Sequence, residues 1–269
     1  MEELTQRATP PLFYGESGIM NMGKQVCMIL MAMALIWSGK APAAKPIGTF
    51  SFILGGPLDV QVKSKGGAVW NSAKLGLTVN DGDWIKTKKE SRCEIRLADK
   101  SLIRLGEETE FEFTTANITA QQRNVKGDLK TGQVYLNLNT KTSSKSQFQI
   151  KAPTAVCAVR GTIYRIDADS TTQCTVYDGT VDVGPAKLWG QPIKREGKSL
   201  QPYQVPGPSQ VPGPYEVSLE QWVQIVKGFQ ITVRQDGKFA KTQFDAQQDA
   251  GDEWVKWNKQ RDEIGRAHV

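Results

Sequence analysis

Histidine is the side chain most often used to move protons near neutral pH. It occurs once in this chain, at His268, the second-to-last residue. A Ser-His or Cys-His nucleophile therefore has no base to draw on within the body of the sequence. Cysteines stand at Cys27, Cys93, Cys157 and Cys174, and no pair shows C-x-x-C spacing, so no zinc-type ligand set is expected. Two carboxylates could cleave a glycosidic bond without histidine, but the spacing singles out no pair. The residue types predict a protein that is not an enzyme and carries no cofactor or metal.

Recognition remains as the task, and elements must exist to present it. The chain has 269 residues, 39% hydrophobic and 23% charged, which is enough apolar material for a sizeable core. That composition excludes low-complexity disorder and collagen. A polytopic membrane protein is excluded too, because one short apolar run stands out.

That run is Val26 to Trp37, preceded by Lys24 and followed by Ala41-Pro42-Ala43-Ala44. A basic flank, an apolar stretch and an A-x-A site have the order of a secretory signal peptide, and 12 residues fall short of the roughly 20 needed to span a bilayer. We expect residues 1–44 to be a leader, cut after Ala43 or Ala44, with Met20 or Met22 as the real start. The product would be periplasmic or secreted, and would touch a membrane only through an uncleaved leader. Arg7, Lys24 and Lys40 cancel Glu2, Glu3 and Glu16, so the net charge of +6 belongs to the rest of the chain. Its basic residues are scattered, with no arginine stripe interleaved with aromatics, so nucleic acid is not an expected partner.

Residues 45–189 are expected to form one domain, and from 50 to 183 the pattern is period two between turn signals. Phe50, Phe52 and Leu54 are followed by Gly55-Gly56-Pro57. Leu58, Val60 and Val62 run to Gly66-Gly67, and Leu75, Leu77 and Val79 run to Asp81-Gly82-Asp83. Thr109, Phe111 and Phe113 share one parity while Glu108, Glu110 and Glu112 take the other, the pattern of a half-buried strand. Short strands at this spacing, uninterrupted by long helical runs, predict an all-β domain, as a sandwich, barrel or short β-solenoid.

Residues 190–215 contain two near copies of Gln-Val-Pro-Gly-Pro and read as an extended linker. Within 216–269, Ser218 to Gln221 resembles a capping box opening a short helix that includes Trp222. Phe229, Ile231 and Val233 form a strand pattern ending at Asp236-Gly237. The tail predicts an amphipathic helix with Trp254 and Trp257 on one face, docked on its own domain or serving as a partner contact.

With Cys27 removed, three cysteines remain and at most one internal disulfide can form. A turn near Asp169-Ser170 sets Cys174 opposite Arg165 or Ile166, and Cys157 opposite Thr180 to Asp182. A direct cross-strand Cys157–Cys174 bond is therefore not expected, and the three are read as buried hydrophobes.

Three stretches carry a resemblance to the FecR-domain family of bacterial envelope proteins. They are Gly67 to Trp70 with Leu75 to Thr87, then Ser91 to Leu105, then Ala152 to Ala155 with Val159-Arg-Gly-Thr162 and Thr175 to Val183. Lys100 stands where the family pattern has a glycine. The tail from Glu253 to Asp262 is also similar to a segment found after this domain in secreted members. The resemblance implies a FecR-like sandwich or short β-roll, with Trp70, Gly82, Asp83, Arg160, Gly161 and Thr162 as motif residues. Read physically, Gly82 and the flanking aspartates suit a tight turn, and Arg160 beside Gly161 suits the bonding of carbonyls at a bulge. In the family's signalling members a cytoplasmic segment binds a sigma factor and the β domain receives a periplasmic signal. At most about 25 residues precede the apolar run here, so a sigma-factor regulator is the less favoured expectation. The favoured one is a binding or sensory module for an envelope protein or glycan, and the alternative is a structural envelope or assembly protein.

Overall fold

The alternation seen in the sequence becomes a two-layer β body. The computed structural model describes residues 46–119, 122–138, 146–159, 161–191 and 217–267. The leader and linker residues 192–215 lie outside the described residues, as does Arg160. Among the described residues the chain is all-β, with two helices at its C-terminal end. No helix among them is long and apolar enough to cross a membrane.

The first sheet runs in spatial order β4 (Thr78–Asn80), β1 (Pro46–Leu54), β6 (Arg92–Leu97), β7 (Leu102–Leu105), β9 (Arg123–Asn137) and β12 (Ile163–Ala168). It continues through β13 (Thr172–Asp178), β17 (Phe229–Val233) and β18 (Lys238–Gln243) to β15 (Val217–Ser218). The second sheet runs β3 (Asn71–Ser72), β2 (Val60–Lys63), β5 (Trp84–Thr87), β8 (Glu110–Ile118), β9, β10 (Gln147–Lys151), β11 (Ala155–Val159), β14 (Thr180–Pro185) and β16 (Val223–Val226). Of these pairings only β9 with β10 is parallel.

Strand β9 belongs to both layers. Its Thr131 pairs with Glu110 in the second sheet, and the next residue, Gly132, pairs with Ala168 in the first. Gly132 makes the crossing at φ +93°, in the left-handed region that glycine tolerates, and a Cβ there would collide with Thr109. One apolar core lies between the layers. Ile95, Ile103, Leu136 and Ile166 face it from the first sheet, and Ile85, Phe111, Phe113, Phe148 and Val183 from the second.

The parity read for β8 holds: Thr109, Phe111 and Phe113 are buried, and Glu110 and Glu112 are half-buried on the other face. Elsewhere the alternation is broken. A bulge between Phe50 and Phe52 leaves Leu54 at an exposed strand end. Gly76 turns at φ +77°, so Leu75 and Leu77 sit in an exposed loop and only Val79 enters the core. The helix expected from Ser218 does not form. Val223 and Ile225 obey a period of two, and β16 pairs in register with β14, setting Ile225 opposite Val181 in the core. Sheet pairing and burial outweigh the local capping signal. The segment after the linker thus extends both layers, and residues 44–269 make one compact unit.

Helix α1 (Ala246–Gly251) is capped by the Asp245 carboxylate, which accepts from the Gln247 and Gln248 amides. Helix α2 (Glu253–Ala267) begins behind Asp252, whose carboxylate accepts from the Trp254 amide at 2.7 Å. Trp254, Val255, Asn258 and Asp262 are buried against the outer face of the first sheet.

Candidate functional site

The motif residues do not converge. Gly82 takes φ +83° and donates its amide to the Phe113 carbonyl at 2.7 Å. Asp83 beside it is buried and accepts from the Asn80 amide at 2.8 Å, closing the turn between β4 and β5. Burial pushes the Asp83 carboxyl above its usual range despite those donors. Trp70 is half-buried nearby, with the Lys63 ammonium 4.8 Å from its ring centre and equally close to Trp84. Gly161 and Thr162 lie at the β11–β12 corner, where the Thr162 hydroxyl donates to the Thr180 carbonyl at 3.0 Å. The Gly82 contact joins backbone to backbone, and the Asp83 and Thr162 side chains each tie onto backbone. Trp70 packs on a neighbouring lysine; these contacts hold turns and corners in place. Lys100 occupies its turn at φ +68°, so the chain keeps a glycine-like conformation without the glycine. The turn is anchored by Asp99, which accepts from the Arg123 guanidinium at 2.6 Å and from the Ser101 hydroxyl at 3.0 Å.

A different set of residues does converge, on the outer face of the first sheet. Phe52, Glu94, Arg104, Tyr135, Arg165, Thr175 and Gln230 stand directly opposite one another on successive strands, forming one row across seven of them. On a solvated face such polar residues would be exposed. Here Glu94, Arg104, Tyr135, Arg165 and Thr175 are all buried, largely beneath the C-terminal helices. Glu94 accepts from the Ser51 hydroxyl at 2.6 Å, Arg104 Nε at 2.7 Å and Arg261 Nε at 3.1 Å. Burial opposes ionisation of Glu94, but the donors from Arg261, Ser51 and Arg104 outweigh it and hold its carboxyl down at about 2. Arg104 also reaches Asp262 at 2.7 Å and the Asn258 carbonyl at 3.1 Å, and the Tyr135 hydroxyl donates to Asp262 at 3.0 Å. Helix α2 is therefore seated by charge pairing as well as by apolar contact. Trp254 and Trp257 stack at 5.2 Å, Trp257 packs on Phe52, and the Arg92 guanidinium lies over both tryptophans.

Further along the row, Arg165 pairs with Asp167 at 2.8 Å, Asp249 at 3.4 Å and Asp252 at 3.8 Å. Burial pushes the Asp167 carboxyl up even beside that guanidinium. Two polar clefts of about 410 Å³ flank this point. One lies between Arg165, Gln173, Gln230, Phe244 and the acidic side of α1. The other lies between Glu107, Glu108, Gln133, Asp167 and Asp169, and Gln173 lines both. Amide groups and excess carboxylates suit a polar ligand carrying a cationic group. No side chain here is placed as a nucleophile with a base beside it. No cluster of His, Cys, Asp and Glu suited to a metal occurs among the described residues.

Residues 83–182 match the FecR family, described as FecR protein. The chain carries a FecR domain. That domain spans β5 to β14 and supplies Glu94, Arg104, Tyr135 and Arg165, whereas the helices that cover them come from outside it. Two crystal structures of a candidate anti-sigma factor from Parabacteroides distasonis are also similar, at 16% and 18% identity and a TM-score of 0.42. Each alignment covers 61% of this chain and 61% of the solved chain. No curated protein matches this sequence.

Charge buried in a strand was the signal missed in the sequence. Glu94 and Arg104 alternate with Cys93, Ile95, Ile103 and Leu105, and nothing in that local pattern marks them as covered. What buries them arrives 150 residues later, and only the tail motif Glu253 to Asp262 hinted at it.

Proposed function

We propose that this chain is an exported, non-catalytic FecR-like module that senses or regulates by binding a protein or glycan of the bacterial envelope. The observation that carries the reading is the buried charged row on the FecR domain, roofed by a helix from outside it and opening at Arg165 into polar clefts. Its acids and bases hold the helix, so they brace a rigid frame around the clefts rather than supply acid–base chemistry. The FecR match supports a regulatory rather than an enzymatic reading. The Lys24 and Val26–Trp37 leader pattern supports export. The edge strands β3, β15, β4 and β16 are only two to four residues long. Such short edges discourage strand-to-strand assembly, which favours recognition over a structural role.

The test is site-specific photo-crosslinking from Gln173 and Gln230 in the native envelope, with crosslinked species identified by mass spectrometry. A defined partner captured at these positions, but not from Lys74 on the far loop, is the expected result. Equal yields from all three positions, or a protein found only in the cytosol, would overturn the reading.

A further inference from the structure

Strands β12, β13 and β17 set Arg165, Thr175 and Gln230 side by side on the outer face of the first sheet, with Gln173 diagonal to Gln230. The first of the two clefts, about 410 Å³, lies between this point and the acidic side of α1. Asp245 and Asp252 flank α1 and Asp249 lies within it, spaced so that three like charges share one side of a short helix.

Each carboxylate commits one oxygen to the fold. Asp245 Oδ1 accepts from the Gln247 and Gln248 amides, and Asp252 Oδ1 from the Trp254 and Val255 amides. Asp249 Oδ1 accepts from the Tyr177 hydroxyl at 3.3 Å and faces Arg165 Nη2 at 3.4 Å. The second oxygens are less engaged. Asp252 Oδ2 lies 3.8 Å from Arg165 Nη1, beyond hydrogen-bond reach. Asp249 Oδ2 and Arg165 Nη1 are buried with no hydrogen-bond partner among the described residues, on side chains that are each only 9% exposed. Buried polar atoms left in this state are costly, and a polar group entering from the cleft would relieve them.

The rest of the lining narrows the ligand. Three carboxylates stand against one guanidinium, so the cleft repels anions and draws in cations. Gln173 Nε2 donates to Gln230 Oε1 at 3.0 Å, which leaves the Gln173 side-chain carbonyl and the Gln230 amino group adjacent, one acceptor and one donor. A hydroxyl both donates and accepts, so neighbouring hydroxyls on a sugar ring match that pair. Phe244 also lines the cleft, half-buried, with Tyr177 packed edge-on at 5.7 Å. The electron-rich face of such a ring suits the C–H face of a pyranose.

We propose that this cleft binds an amino-sugar unit carrying a free ammonium. The ammonium sits among Asp245, Asp249 and Asp252, two hydroxyls bond Gln173 and Gln230, and the sugar ring rests on Phe244. The proposal depends on the binding role given above and names the ligand chemistry of that site. An N-acetylated sugar brings a neutral amide to the carboxylates, and a uronic acid brings a like charge, so both should bind more weakly.

The test is calorimetric titration of the full chain, in mildly acidic buffer that keeps the amines protonated. The probes are a tetramer of β-linked glucosamine, its N-acetylated counterpart, a galacturonic acid tetramer and spermine. The expected result is binding of the glucosamine tetramer, preferred roughly tenfold or more over the N-acetylated tetramer and spermine, with no binding of galacturonate. Asp245→Ser keeps an N-cap acceptor while removing a carboxylate, so it should weaken glucosamine and spermine alike. Phe244→Leu should weaken glucosamine far more than spermine. Thermal unfolding checks that both variants remain folded. Spermine bound as tightly as the sugar would reduce the site to an acidic patch and overturn the proposal. Preference for the N-acetylated tetramer would overturn the place given to the ammonium. No binding of the glucosamine tetramer, or binding unchanged in both folded variants, would overturn the site. A protein partner crosslinked from Gln173, with no sugar bound, would sink this ligand and leave the binding role standing.

Discussion

The Arg104 guanidinium and the Glu94 carboxylate meet at 2.7 Å, and neither side chain is more than 2% open to solvent. A buried pair of this kind matters less for its attraction than for what each partner would cost alone. Arg104 serves Glu94, Asp262 and the Asn258 carbonyl together. Arg104→Met should therefore destabilise the protein by about 3–5 kcal/mol, because Glu94 loses its shortest cationic contact and Asp262 loses the guanidinium 2.7 Å away. Adding Glu94→Leu and Asp262→Leu should recover much of that loss. Urea unfolding of the single and triple variants checks the order; a triple variant weaker than the single would contradict it.

Glu94 also predicts an acid transition. Its folded carboxyl titrates at about 2, against an ordinary value of 4.5. A depressed carboxyl contributes stability that is complete above pH about 4.5 and is lost as pH falls toward 2, here about 3 kcal/mol. Asp83 and Asp167 oppose this, since their raised carboxyls favour the folded state as pH falls. Glu94→Gln should start from lower stability at pH 7 and show a flatter loss between pH 4.5 and 2. Equal slopes for the two proteins in pH-dependent urea midpoints would refute the assignment.

Lys100 holds φ +68° at the β6–β7 turn, where a side chain costs about 1 kcal/mol relative to glycine. Lys100→Gly should therefore raise stability by up to about 1 kcal/mol. Thermal unfolding should move upward by a few degrees at most, and a downward shift would show that the lysine side chain has a role of its own.

Gly132 has no such freedom. At φ +93° and against Thr109, a methyl group fits neither conformation nor space. Gly132→Ala should cost about 2–4 kcal/mol. Gly228→Ala, at φ +84° but in open space, should cost only the conformational part, about 1 kcal/mol. A smaller loss at Gly132 than at Gly228 would contradict the crossing described for β9.

Local pattern was readable where one face meets the core and the other meets water. Phe111 and Phe113 against Glu110 and Glu112 gave β8, and Phe229, Ile231 and Val233 gave β17. It was misread where distant chain decided the outcome. Ser218 to Gln221 carried a helix start that pairing with β14 overrode. Leu75 and Leu77 kept strand parity but fell in a loop turned by Gly76. The motif residues were visible because turns need particular residue types. The buried row was not, because Glu94, Arg104 and Arg165 look solvated until a helix from the far end of the chain covers them. Trp254 and Trp257 marked that helix, and the structure seats them on Phe52 and Arg92 of their own domain.

The sharing of β9 has a mechanical consequence. The layers are not joined by loops alone: one covalent ribbon passes from the inner ladder of one to the inner ladder of the other. Tension applied to either layer is borne by that ribbon's own peptide bonds at Gly132. Loss of either layer strips that ribbon of half its pairings, so the body should give way in a single all-or-none event.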